Sequence, residues 1–235
     1  AQGGIAAVMG EKDTVEEHIS DTLEVGDGIC DEDAVAHCVQ NSKAAINWLI
    51  EMGVNFTMTK DGEKLHLTQE GGHSKRRVAH SKDTTGKEVS NSLIAHARKI
   101  KNIKIYENHL AVDLITKNQA CLGAYIFDKK REEVITFKSN VTVLASGGAS
   151  KVYLYTSNPD GTSGDGMALA WRAGCELSNM EFNQFHPTCL YHPEAKSFLI
   201  SEALRGEGAF LINHENKRFM KKYHEKNELA PRDVV

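Results

Sequence analysis

The segment from residue 181 to residue 208 concentrates the side chains of this sequence that could do chemistry. It contains His186 and His192, and then Glu202 and Arg205. The bulky apolar residues among them are Phe182, Phe185, Leu190, Phe198, Leu199 and Ile200. Charged groups beside so much apolar surface are tolerated where they are paired or used. By composition, the segment is either a buried ion-pair cluster or a site for a small charged ligand.

The order of four short motifs resembles one group of flavoproteins. Residues 184–188 read QFHPT and residues 201–208 read SEALRGEG. Arg-Phe-Met follows at 218–220, and LAPRDVV at 229–235. In this order the motifs resemble those of the succinate dehydrogenase, fumarate reductase and L-aspartate oxidase group.

An earlier loop makes the resemblance to the L-aspartate oxidase family closest. Residues 70–74 read EGGHS and are followed by Arg-Arg-Val at 76–78 and by Asp-Thr-Thr-Gly at 83–86. L-aspartate oxidases carry this pattern, whereas succinate dehydrogenases have a less acidic sequence here. Pro231 also favours the oxidases, because the respiratory enzymes usually have serine there. Gln69 departs from the arginine expected before the loop, so no role is carried over to it.

The fold implied by this resemblance is α/β (α+β). We expect residues 1–178 to be an incomplete FAD-binding Rossmann-like domain with a β-meander, and residues 179–235 an incomplete capping domain. The group opens with a strand and a Gly-x-Gly-x-x-Gly turn that holds the FAD pyrophosphate on a helix N-terminus. The sequence contains no such turn and begins without methionine. We therefore expect an interior piece of a longer enzyme.

FAD is the implied cofactor, with contacts at three places. The loop matched to the flavin ring consists of Ala1, Gln2, Gly3 and Gly4. Gly147 and Gly148 follow the apolar run 141–145, which predicts a buried strand that delivers glycines to a ligand. Asp165 is predicted to be the N-cap of a short helix, and by resemblance it also contacts the cofactor.

The implied activity is oxidation of L-aspartate to iminosuccinate, with hydride transfer to flavin N5 and oxygen or fumarate as electron acceptor. This reaction would begin quinolinate formation in NAD biosynthesis, with functional coupling to quinolinate synthase. A dicarboxylate needs cationic and hydrogen-bonding partners at both ends. By resemblance the catalytic residues are Arg232, His186 and Glu70, and the substrate-binding residues are Gln184, Ser201, Glu202 and Arg205.

Some of these residues have specific expected roles. Arg232 would hold a carboxylate and, in the reverse direction, donate a proton to fumarate. Glu70 is the extra carboxylate, because aspartate differs from succinate by an α-ammonium group and a negative side chain near it would discriminate the two. His186 belongs to the QFHPT motif, whereas His192 lies outside it and is expected around the site.

Two alternatives to the oxidase interpretation stay open. A flavoprotein subunit of succinate dehydrogenase or fumarate reductase would need an iron–sulfur partner and, in many members, a histidine linked covalently to FAD before the AQGG loop. A fragment without activity of its own is the other alternative. A flavin absorbance band that co-elutes with the protein would separate it from either enzyme.

Composition argues against several other classes. The formal net charge is −4 and no basic run stands out, which argues against a nucleic-acid surface. No apolar run reaches the roughly 18 residues of a membrane span, and no signal-peptide pattern opens the chain. The five cysteines form no Cys-x-x-Cys pair, so we expect reduced thiols in the cytoplasm and no zinc site. No spacing of histidine, cysteine and aspartate suggests another metal.

Hydrophobic periodicity predicts the elements that must position these residues. Helices are expected from Thr14 to Gly26, over about 32–52 before Gly53, and through Val89 to Ile100. A strand pair is expected over 54–67, with Asp61-Gly62 as its turn. The other predicted elements are strands at 103–106, 111–115, 121–127 and 133–137, and a turn at 214–217.

Overall fold

The computed structural model describes residues 3–192, 194 and 198–235. Its contacts divide these residues into two compact units. The first comprises the described residues within 1–101, 185–193 and 198–235, and the second those within 102–184 and 194–197. The mixture of helices and small sheets confirms the predicted fold class. The boundary expected after residue 178 stays a prediction.

Among the described residues up to 101, the first unit contains three helices, two of which begin at side-chain caps. Helix α1 (Val15–Val25) begins at Thr14, whose hydroxyl accepts a hydrogen bond from the Glu17 amide at 3.1 Å. Helix α2 (Glu32–Glu51) is capped by Asp31 and followed by Gly53 at a φ of 89°. Helix α3 (Thr85–Ala97) ends before Ile100, which the sequence had placed inside it. The other helix predictions are confirmed.

A small antiparallel sheet holds the loop that carries Glu70. Its strands are β1 (Ile5–Ala6), β2 (Leu67–Thr68) and β3 (Val78–Ala79), in the order β1-β3-β2. The core beneath it consists of Ala7, Ile46, Leu49, Val54, Phe56 and Ala79. Because β2 and β3 pair directly, residues 69–77 form a closed loop between them.

The strand pair predicted over residues 54–67 is wrong in extent. Only one bridge forms, between Met58 and Leu65, around the expected turn with Gly62 at a φ of 75°. Within this turn the Asp61 carboxylate accepts bonds from the Thr59 hydroxyl and the Glu63 amide. Backbone bonds from the Thr59 amide to the Lys64 carbonyl and from the His66 amide to the Thr57 carbonyl flank the bridge.

The second unit contains the predicted β-meander. Strands β4 (His109–Lys117), β5 (Ala120–Asp128) and β6 (Glu133–Lys138) pair antiparallel in that order, which confirms three predicted strands. Helix α4 (Asp165–Arg172) packs on β4, where Arg172 lies 3.2 Å from Asp113.

Three other predictions in the second unit are wrong. Residues 141–145 form no strand, and Val141 and Val143 are 77% and 80% exposed. Among the described residues no strand pairs with this run, so it has neither a hydrogen-bonded ladder nor a covered face. Residues 103–106 form no strand either. Asp165 is the first helical residue and not the N-cap, because Gly164 takes the cap position at a φ of 84°.

The last part of the first unit is built from short elements. Strands β7 (Cys189–Leu190) and β8 (Phe198–Leu199) pair antiparallel, and helix α5 (Ala203–Gly206) follows. The predicted turn at residues 214–217 is confirmed and is flanked by a single bridge between Ile212 and Arg218. No helix among the described residues is long and apolar enough to cross a membrane. All five cysteines are free thiols.

Candidate active site

Two arginines and two glutamates meet in the first unit, and we call them the glutamate–arginine cluster: Glu70, Glu202, Arg205 and Arg232. Arg232 Nε and Nη2 each lie 2.7 Å from Glu202 Oε2. Arg232 Nη2 also lies 4.0 Å from Glu70 Oε2. On the other side, Arg205 Nη2 lies 3.1 Å from Glu202 Oε1. The charges therefore alternate in sign along the cluster.

Two glycines allow the loop of residues 69–77, which carries Glu70, to approach α5. A Cβ added to Gly71 would lie 2.6 Å from Glu202 Oε1, and one added to Gly206 would lie 1.9 Å from the carbonyl oxygen of Gln69. Any side chain at either position would force the two segments apart. The glycines of the EGGHS and SEALRGEG motifs thus bring Glu70 to the cluster.

Arg205 is also held by the acidic residue Glu228. Its Nη1 donates to the carbonyl oxygen of Glu228 at 2.7 Å. The Glu228 carboxylate accepts bonds from Arg218 at 2.9 and 2.5 Å and from the Leu211 amide. Hydrogen bonding from Arg218 lowers the pKa of Glu228 despite its burial. Arg205 is thereby fixed against Glu202.

The cluster keeps polar atoms that the described residues do not satisfy. Arg205 Nε is buried and makes no hydrogen bond among those residues, and Arg205 Nη2 and Glu202 Oε1 face each other at 3.1 Å as an ion pair without hydrogen-bond geometry. Buried polar atoms are nearly always hydrogen-bonded, and exceptions often mark functional sites. The arrangement is therefore better suited to a ligand or water than to stability alone.

Glu70 lies in an environment that disfavours the charged form of its carboxyl. Burial raises the pKa of its carboxyl, and the neighbouring Glu202 carboxylate raises it further, although Arg232 and Arg205 oppose the shift. Glu70 therefore exchanges its proton closer to neutral pH than an exposed glutamate does. That behaviour is typical of functional carboxylates.

His186 is held as a neutral hydrogen-bond donor. Its Nδ1 accepts a bond from the Thr188 amide at 3.2 Å, so the neutral ring carries its proton on Nε2. Burial lowers the pKa of His186, and the positive charge of Arg232 lowers it further. Thr188 is fixed in turn by paired bonds to Ile200. His186 can thus offer an N–H to a carboxylate without changing its charge.

The remaining predicted site residues are not all part of this arrangement. Ser201 Oγ accepts a bond from the Ala203 amide at 3.3 Å and so caps the first turn of α5. Gln184 belongs to the second unit. Phe185 and Phe198, which lie among the charged residues in the sequence, are exposed and do not cover the cluster. The roles of all these residues stay predictions.

A second buried charge cluster was not predicted from the sequence. Arg77 is fully buried and bonded to Asp13 and Asp21, which lie 64 and 56 residues before it. His18 and His73 lie beside it with their ring centroids 5.9 Å apart. Burial lowers the pKa of both histidines. The adjacent arginines Arg76 and Arg77 could have indicated such a cluster, but their spacing in the sequence does not connect them to α1.

The glycines predicted to bind the cofactor differ in how much space lies beside their backbones. Ala1 and Gln2 lie outside the described residues. A Cβ on Gly3 or Gly148 would meet nothing within 4 Å, whereas one on Gly4 would lie 2.4 Å from Val78. Gly147 has a φ of 77°, with Thr162 at 3.6 Å from such a Cβ. Open space beside Gly3 in the first unit and, separately, beside Gly148 in the second would let a flat ligand approach each backbone, whereas Gly4 packs against β3. The roles of these glycines in binding the cofactor stay predictions.

The comparison with protein families decides the family of the chain. Residues 1–235 match the model described as the FAD binding domain. The chain belongs to this family of FAD-binding domains. FAD is its cofactor, and the open backbones at Gly3 and Gly148 agree with this. Among the described residues, this FAD-binding domain contains no group of three or more histidine, cysteine, aspartate or glutamate side chains that could hold a metal ion.

Curated relatives of this FAD-binding domain include L-aspartate oxidases. Those of Pseudomonas aeruginosa and Vibrio cholerae are 56% and 52% identical to it, and each match covers 100% of this chain and 46% of the relative. The chain thus spans about half the length of the relatives it matches. Among solved structures, a quinol–fumarate reductase with menaquinol molecules has a TM-score of 0.92 at 30% identity, covering 100% of this chain and 42% of that one.

Proposed function

We propose that the full-length protein carrying this FAD-binding domain oxidises L-aspartate to iminosuccinate. One observation carries the proposal: Glu70 Oε2 lies 4.0 Å from Arg232 Nη2, beside a desolvated cluster. An α-amino acid has a positive and a negative group on one carbon atom. A glutamate and an arginine side by side complement that pair, whereas a simple dicarboxylate would have no use for the glutamate.

Each cluster residue has a role in binding this substrate. Arg232 would hold the α-carboxylate, and its guanidinium plane is fixed because Nε and Nη2 both contact Glu202. Glu70 would hold the α-ammonium group. His186, neutral and with its proton on Nε2, would donate to the distal carboxylate. Arg205 would act through Glu202, since its own Nη1 is used on the Glu228 carbonyl.

Bound FAD supplies the electron sink that accepts the hydride from the substrate α-carbon. Formation of the imine also requires the nitrogen to lose protons. Glu70, with its raised pKa, is suited to accept one of them. When fumarate is the electron acceptor, Arg232 would donate a proton to it, and contact with Glu202 at 2.7 Å would keep the deprotonated guanidine in place.

The second candidate is a flavoprotein subunit of succinate dehydrogenase or fumarate reductase. The likeness to a fumarate reductase at a TM-score of 0.92 favours it. The higher identity to L-aspartate oxidases, 56% against 30%, favours the oxidase. Glu70 is the residue on which the two candidates differ chemically.

The proposal extends to the fate of the product. Iminosuccinate is an imine and hydrolyses in water, so an enzyme that consumes it must act promptly. We therefore propose functional coupling to quinolinate synthase and a cytoplasmic location. A coupled assay would yield more quinolinate per aspartate oxidised when both enzymes are mixed than when the product is allowed to stand first.

The direct test mixes the FAD-loaded full-length protein with substrate under anaerobic conditions. L-aspartate should bleach the oxidised flavin absorbance, and succinate at the same concentration should not. Bleaching by succinate alone would support the second candidate. Bleaching by neither substrate would overturn both.

A further inference from the structure

The loop that carries Glu70, residues 69–77 (the Glu70 loop), is fixed to helix α1 by charges that the proposed chemistry does not use. We propose that Arg77, Asp21 and Ser74 are positioning residues that set the selectivity for an amino-acid substrate by holding Glu70 against Arg232. The inference rests on the proposed function and adds residues that touch neither substrate nor cofactor.

The anchor is a fully buried arginine with two carboxylate partners. Arg77 is 0% exposed. Its Nε and Nη2 donate to the two oxygens of Asp13 at 3.0 and 2.7 Å, and its Nη1 donates to Asp21 Oδ2 at 2.6 Å. Such a two-pronged contact fixes the plane and direction of the guanidinium as well as its distance. The C-terminal end of the loop therefore has one position relative to α1.

Ser74 extends the anchor into the middle of the loop. Its amide and its hydroxyl both donate to Asp21 Oδ2 at 2.8 Å. Asp21 thus holds Arg77 with the same oxygen that holds Ser74. Because Ser74 is four residues from Glu70, this contact reaches the functional half of the loop.

Hydrogen bonds and close contacts restrict the segment between Ser74 and Glu70. The His73 amide donates to the Glu70 carbonyl at 3.2 Å, and Gln69 Nε2 donates to the His73 carbonyl at 2.7 Å. On the opposite side, Gly71 abuts Glu202 and Gly206 abuts the Gln69 carbonyl. A displacement of Ser74 would therefore also displace the Glu70 side chain.

A buried ion cluster is an expensive way to obtain stability alone, because apolar residues of similar volume often do as well. It does fix geometry, and a misplacement of about 1 Å at a reacting group can cost about 100-fold in rate. Glu70 needs that precision because its distance from Arg232 must match the span between an ammonium and a carboxylate on one carbon.

The test uses the FAD-loaded full-length protein with Ser74→Ala and Asp21→Asn. We expect kcat/KM for L-aspartate to fall roughly tenfold and fumarate reduction to stay within twofold. Lys75→Ala is the matched control, because Lys75 joins the same loop to the same helix through Glu17 at 3.0 Å on the surface. It should leave both reactions unchanged. Ser74→Thr, which keeps a hydroxyl, should restore aspartate oxidation.

A double-mutant cycle separates positioning from a general structural role. In a Glu70→Gln background, Ser74→Ala should cause no further loss with aspartate, because the group it positions is already gone. Equal losses for aspartate and fumarate, or full additivity with Glu70→Gln, would overturn the inference. Retention of wild-type selectivity by Ser74→Ala would overturn it too. If the wild type fails to oxidise aspartate, the proposed function is what fails.

Discussion

Two arginine–carboxylate clusters lie at opposite ends of the Glu70 loop, and they are built differently. Around Arg77, every guanidinium nitrogen has a carboxylate partner within 3.0 Å and the arginine is fully buried. In the glutamate–arginine cluster, Arg232 is 33% exposed and the buried Arg205 Nε has no hydrogen-bond partner among the described residues. Arg205 Nη2 faces Glu202 Oε1 at 3.1 Å as an ion pair without hydrogen-bond geometry. Burial raises the pKa of Glu70 at the same place.

The difference indicates that the two clusters have different functions. A saturated buried cluster holds chain segments together, whereas an unsaturated one keeps charges available for a ligand at a cost in stability. Removing the arginine of the first cluster should therefore lower mainly the free energy of unfolding, whereas the milder changes at Ser74 and Asp21 should lower mainly the selectivity for aspartate. The second cluster should respond mainly in catalysis.

The largest effect is expected from removing the saturated cluster. Arg77→Met would leave Asp13 and Asp21 buried without their partner, and breaking a buried pair costs about 3–5 kcal/mol. Urea unfolding of the full-length protein would measure the loss. Lys64→Met, at an exposed surface pair with Glu11, should cost far less. A loss for Arg77→Met no larger than that of this control would end the distinction between the clusters.

Arg232→Leu should show the opposite profile. Removing a carboxylate partner in a desolvated site costs about 2–5 kcal/mol, here expected in kcat/KM for both aspartate oxidation and fumarate reduction. The unfolding free energy should change less than with Arg77→Met, because Arg232 is partly exposed and Arg205 remains beside Glu202. Retention of more than a tenth of wild-type kcat/KM for both substrates would contradict the assignment.

A smaller effect should appear in the pH dependence of stability. Because the pKa of Glu70 is raised in the folded state, the protein loses stability as pH rises from the ordinary glutamate pKa through the folded value. Glu70→Gln removes that loss. The mutant should have a higher Tm than the wild type at neutral pH, and the gap should close on acidification below the ordinary glutamate pKa. Glu63→Gln, at an exposed position, should show no such trend.

Local patterns in the sequence predicted the elements that frame the site. Thr14 before α1, Gly53 after α2 and the apolar stretches of β4 to β6 are signals that act within a few residues, so they can be recognised without the fold. The run 141–145 could not be judged in this way. Its burial depends on neighbouring strands, and none among the described residues pairs with it.

The candidate site was predicted through the order of family motifs rather than through chemistry. Glu70 and Arg232 are far apart in sequence, and only the matched motifs joined them. Arg77 and Asp13 show what that approach misses, since Arg77 lies in the Arg-Arg-Val motif without an assigned role, Asp13 lies outside the motifs, and 64 residues separate them. The pairing became visible only once β3 and α1 were in place.

Glu70 tests the central claim most directly. Glu70→Gln keeps the shape of the side chain and removes its charge, so steady-state kinetics of the FAD-loaded full-length protein should compare both substrates at one pH. A lost charge-assisted bond costs about 1.5–3 kcal/mol, so kcat/KM for L-aspartate should fall roughly 10- to 100-fold. Fumarate reduction should be unchanged or slightly faster. Equal losses for the two substrates, or no loss for either, would contradict the account.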